Sequence, residues 1–178
     1  MLLGRRCQLT DERLRDLRLG TLLHDVGKLA IPHNILMKPG PLDPEEWPVM
    51  QLHAELGWQI LEPFSQLANA AEIVRSHHER WDGGGYPRGL AGDAIPIGAR
   101  IFAVADTFDA ITSDRPYRKG RAVAAAKSEI VGMSGIQFDR QVVRRFDKIS
   151  DLELAEIRRR HSDRLVGTTF ADQRCATR

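Results

Sequence analysis

Apolar residues recur at three- and four-residue intervals through nearly every patterned stretch of this 178-residue chain, and no stretch alternates apolar with polar residues as a half-buried strand does. That periodicity commits the chain to helices: the expected fold class is all-α, a helical bundle. Thr10 is placed to cap a helix that carries Leu14, Leu17, Leu22 and Leu23 into HDVGK at residues 24–28. Residues 31–42 hold three prolines and a glycine and read as a loop with one short turn. Asp43, Pro44 and Glu46 then spell an N-cap, a first-turn proline and a capping box, with Leu42 and Trp47 set to staple it. This helix runs to about Leu61, and Pro48 predicts a kink or a restart near its beginning. Further helices are expected over about 64–80, 97–113 and 121–132 and after Asp139, while Ser150 and Glu153 open another to about Arg160. Residues 1–148 form the compact domain; 149–178 are a C-terminal helix and a tail that frays beyond His161.

A net charge of +2, with no basic stripe interleaved with aromatics, argues against DNA or RNA as a partner. The apolar runs are too short to insert in a membrane, and MLLGRRCQLT has no apolar core of a signal peptide. Cys7 and Cys175 stand near opposite ends without CxxC spacing, which favours free thiols in a reducing compartment. The expectation is a cytoplasmic protein.

The polar residues are the informative ones. Four of the six histidines, His24, His53, His77 and His78, fall beside core positions of helices, and two aspartates, Asp25 and Asp106, interrupt the same apolar surfaces. A single histidine on such a face is ordinarily a hydrogen-bonded core residue. Four of them with two carboxylates, all expected to face inward, call for a cation, because a buried carboxylate is costly unless it is paired or binds metal. Imidazole with carboxylate suits first-row transition ions such as iron, manganese or zinc. The donors exceed one tetrahedral site, so a dinuclear centre is the economical arrangement, suited to phosphoester hydrolysis. Lys28 lies one helical turn after His24, where it would meet a phosphate oxygen or, alternatively, simply be solvated at a helix end. The segment SHHERWDGGGYP joins two of these histidines to a glycine turn that lets backbone approach a partner closely.

Taken in order, HDVGK, His53, HHERWDGGGYP and IFAVADTFDAITSDRPYR resemble the HD-GYP domain, a subclass of HD metal-dependent phosphohydrolases that degrades bacterial cyclic di-GMP. The resemblance runs from about residue 9 to residue 146. It implies an HD-domain helical bundle, a dinuclear transition-metal cofactor (iron or manganese), and hydrolysis of cyclic di-GMP to pGpG by metal-activated water, with further cleavage to GMP left open. By the same resemblance His24, Asp25, His53, His77, His78 and Asp106 are metal ligands, Asp25 bridging. Lys28 offsets phosphate charge beside Asp25 in catalysis. Gly85, Tyr86 and Pro87 form the signature turn, with Tyr86 on the ligand and the loop open to protein partners. Arg115 grips phosphate, and Arg118 stands where lysine is commoner.

One element of the family pattern is missing. Members carry a further histidine ligand on a helix before the HD pair, and the 23 residues before His24 contain none. The expectation is an N-terminally truncated domain whose first metal site is one ligand short and whose exposed flank favours a homodimer. The alternative function is a degenerate module that binds protein or nucleotide without turnover.

Overall fold

A computed structural model describes residues 1–114 and 118–159. Arg115, Cys175 and the tail beyond His161 lie outside the described residues. Helices α1 (Leu2–Arg6), α2 (Asp11–Leu23), α3 (His33–Leu36), α4 (Glu46–Leu61), α5 (Ala68–Ser76), α6 (Ile97–Thr112), α7 (Val123–Gly132) and α8 (Arg140–Asp147) follow one another, and a ninth covers residues 151–159. Among the described residues there is no strand, only isolated bridges such as Asp82 with Ala91 and Ser134 with Phe138, so the all-α expectation holds. No helix among them is long and apolar enough to cross a membrane.

Local chemistry sets the boundaries. The Thr10 hydroxyl accepts the Arg13 N–H at 3.4 Å and starts α2. Ahead of α4 half of the expected capping box forms: Glu46 accepts the Asp43 N–H at 2.7 Å, while the Asp43 carboxylate takes the Lys38 ammonium instead. Pro48 neither kinks nor interrupts α4. The helix begins at Glu46, so the missing proline N–H falls among the first-turn groups that have no intrahelical partner. Helix α5 is shorter than expected, spanning Ala68–Ser76 after a 3-10 turn at Ser65–Leu67, so His77 caps it and His78 lies past its end. The unforeseen α1 is too short to stand on propensity and is held by packing, Leu3 and Cys7 being buried against the core that α6 and α8 build.

That core centres on α6. Ile101, Phe102, Val104, Phe108 and Ile111 meet Leu17 of α2, Ile73 of α5, Ile130 of α7 and Val142, Val143 and Phe146 of α8. A smaller cluster of Leu61, Ala71 and Val74 joins α4 to α5. The HD pair leads into a 3-10 turn, Val26–Ala30, that packs along α4. Contact there is backbone on backbone: a Cβ on Gly27 would overlap the His53 carbonyl and come within 2.5 Å of the Gly57 nitrogen. Glycine at 27 is therefore what brings Asp25 alongside His53.

Gly27→Ala tests this. The added methyl must push the turn off α4, at a cost of about 1–3 kcal/mol. We expect a lower urea midpoint with an unchanged denaturant slope.

Candidate metal centre

Three imidazoles are oriented by the same local device. His24 Nδ1 lies 2.9 Å from the Thr21 carbonyl, His53 Nδ1 2.7 Å from that of Met50, and His77 Nδ1 2.5 Å from that of Val74, each three residues back. A carbonyl only accepts, so each Nδ1 carries the proton; at His53 and His77 this leaves Nε2 with a lone pair, whereas His24 Nε2 faces the Asp25 carboxylate and is protonated when it bonds to it. For His53 and His77 those nitrogens stand 3.3 Å apart. Two unprotonated nitrogens facing one another repel unless a proton or a cation lies between them. Burial keeps protons away: desolvation lowers His53 below the usual imidazole range, pushes His77 down to about 4, and pushes His78 down to about 2. His53, His77 and His78 offer ring nitrogens within 4.8 Å of one another. This neutral, nitrogen-rich pocket fits a transition-metal cation.

Asp25 connects the pocket to the end of α2. Its Oδ2 is 3.3 Å from His24 Nε2 and 2.7 Å from Lys28 Nζ, while its Oδ1 is 3.8 Å from His53 Nε2. Burial alone would raise its pKa, but the hydrogen bonds from His24 and Lys28 overcome that and hold the carboxyl well below the usual range. By accepting that bond Asp25 raises the pKa of His24, with the Asp106 charge adding to the effect. One carboxylate oxygen thus faces each half of the site. Lys28 lies on the 3-10 turn rather than on a continued helix, paired with Asp25 and partly exposed.

The six groups differ in burial: His53 and His77 are buried, His24, Asp25 and His78 half-buried, and Asp106 on α6 is exposed. α6 turns Phe102 toward the His24 and His77 rings, and Asp106, one helical turn later, is exposed yet near enough for its charge to act on His24.

The glycine turn closes over the other side. A Cβ on Gly85 would collide with Arg80 N and the His78 carbonyl, so only glycine permits this approach. The Tyr86 N–H then donates to the His78 carbonyl at 3.3 Å, and its ring stacks on His78 with centroids 4.7 Å apart and planes 28° apart. Desolvation, with the Asp25 charge, pushes the Tyr86 phenol up to about 12, so it stays protonated. Pro87 is exposed beside it. Arg118 is not brought to this group; its guanidinium donates to the Ala110 carbonyl. Sequence reasoning passes over Glu79, which is 4% exposed and bonded to the same turn. Its signal is its place directly after the paired histidines.

Comparison with known proteins gives the family and the fold. The HD-domain family matches residues 2–142. A cyclic di-GMP phosphodiesterase of Thermotoga maritima is 47% identical over 145 residues, 79% of this chain and 39% of that protein. A cyclic di-GMP phosphodiesterase response regulator of Xanthomonas campestris is 43% identical over 137 residues, 76% of this chain and 36% of that protein. A 3'3'-cGAMP-specific phosphodiesterase of Vibrio cholerae is 46% identical over 123 residues, 68% and 24% respectively. The chain therefore spans between 24% and 39% of the length of these curated relatives. The crystal structure of a cyclic GMP-AMP-specific phosphodiesterase from V. cholerae superposes with a TM-score of 0.62 at 21% identity, covering 86% of this chain and 41% of that one. This likeness confirms the fold.

The depressed histidines set a pH dependence for the metal-free protein. Unfolding lets His53, His77 and His78 take up protons near pH 6.5 that the fold refuses, so stability is full above that value and is lost as pH falls toward 4. Urea unfolding at pH 7, 5.5 and 4.5 should show the decline, at most about 1.4 kcal/mol per pH unit for each of the three histidines. His77→Gln should make it shallower by the share of one histidine.

Proposed function

The chain belongs to the HD-domain family, in its HD-GYP branch, and we propose that it is a metal-dependent phosphodiesterase acting on cyclic di-GMP, yielding pGpG. The observation that carries the reading is the cluster of His53, His77 and His78 ring nitrogens within 4.8 Å of one another, with Asp25 standing between His24 and His53 and a protonated Tyr86 stacked on His78. His53, His77 and His78 would hold one ion and His24 with Asp106 the other, with Asp25 shared. Iron or manganese bound there supplies Lewis acidity and activates the attacking water. Asp25 keeps its charge across the working pH range because Lys28 and His24 hold it ionised. The Lys28 ammonium, partly exposed beside it, is placed to offset charge growing on a phosphoryl oxygen. Tyr86, neutral and stacked, offers a hydroxyl donor and a ring face to the nucleotide. The relatives named for cyclic di-GMP support this substrate, and those named for cGAMP support the same class of cyclic dinucleotide.

The exposed Asp106 and half-buried His24 favour a second reading, in which the His24 side holds metal too weakly for turnover and the chain binds nucleotide or protein through its glycine turn.

Incubation with cyclic di-GMP under anaerobic conditions, with Fe(II) or Mn(II), separates the two. We expect pGpG by chromatography, and a fall of roughly 100-fold or more in Asp25→Ala and His53→Ala. Nucleotide bound but left intact by folded, metal-loaded protein would establish the second reading.

A further inference from the structure

Glu79 follows His78 directly and is 4% exposed, yet among the described residues no cation pairs with it. A buried carboxylate with no counter-ion is costly unless it accepts strong hydrogen bonds. Here both oxygens do: Oε1 accepts the Arg88 N–H at 2.9 Å and Oε2 the Leu90 N–H at 2.9 Å. These two amides follow Tyr86 and Pro87, so one side chain joins the backbone just after the paired histidines to the backbone just after the signature tyrosine. Arg88 secures the same turn from the other direction, its guanidinium donating to Ser76 Oγ at 2.7 Å and to Glu72 at 3.0 Å. Both of these bonds accepted by Glu79 come from the turn that follows Tyr86.

We propose that Glu79 is a positioning residue that holds the Tyr86 ring against His78 and thereby sets the nucleotide-facing wall of the centre. Its effect on nucleotide rests on the phosphodiesterase reading above; its effect on Tyr86 does not. Glutamine is the discriminating replacement. It fills the same volume but replaces one acceptor oxygen with an amide donor, which then faces a backbone N–H. Aspartate keeps both acceptors and the charge but withdraws them by one methylene.

The chain has two tyrosines, so 3-fluorotyrosine in a Tyr117→Phe background gives a single fluorine resonance for Tyr86. We expect Glu79→Gln, and to a lesser degree Glu79→Asp, to shift or broaden that resonance while circular dichroism and bound metal stay as in the parent. Cyclic di-GMP affinity, measured by calorimetry, should weaken roughly ten-fold in Glu79→Gln. In a Tyr86→Ala background the same replacement should weaken it no further. An unmoved resonance overturns the proposal, as does an equal affinity loss without Tyr86, or loss of fold or metal in both variants. If the parent chain binds no cyclic di-GMP, the substrate assignment fails, and the resonance alone decides the role of Glu79.

Discussion

Three backbone carbonyls decide what this centre can be. By holding the Nδ1 protons of His24, His53 and His77, they orient each ring, turning the His53 and His77 Nε2 lone pairs onto one another and His24 Nε2 onto Asp25. Without those bonds the rings could rotate and pair with one another by sharing protons, and the pocket would be an ordinary buried histidine cluster. With them, lone pairs are pressed together at 3.3 Å, and the fold holds an electrostatic tension that a cation relieves. The rest of the architecture places the helix ends so that the carbonyls stand in the right places.

That placement is a matter of close backbone contact as much as of core packing. Gly27 lets the turn after the HD pair lie directly on α4, and Gly85 lets the signature turn lie directly on the His78–Arg80 backbone. At both points a side chain would open a gap of a methyl group's thickness between donors that must converge. Helix α6 supplies the floor, its Phe102 ring set against His24 and His77.

Much of this was legible in the sequence, for identifiable reasons. Helix starts marked by side-chain caps, at Thr10 and Asp139, fell where the caps stand, because a cap is a local interaction. The cluster of His53, His77 and His78 with Asp25 was visible because a core rarely buries so many imidazoles on apolar faces unless they share a cation. What the sequence did not disclose depended on tertiary geometry. Helix α1 has too few residues to show a period. Pro48 reads as a breaker unless the helix is known to start two residues earlier. The exposure of Asp106 turns on how the other helices pack around α6. Glu79, flanked by His78 and Arg80, looks like one more surface charge until the fold brings the amides of Arg88 and Leu90 onto it.

The carbonyl anchors also have a mechanical meaning. Each ring is mounted on a separate helix, His24 and His77 at the C-caps of α2 and α5 and His53 inside α4, so the donor set stands like an instrument on three legs of unequal burial. His53 and His77 stand on buried legs, while His24 caps an α2 end whose neighbour Leu22 is largely exposed. The alignment of the whole set is then no better than that of its loosest leg.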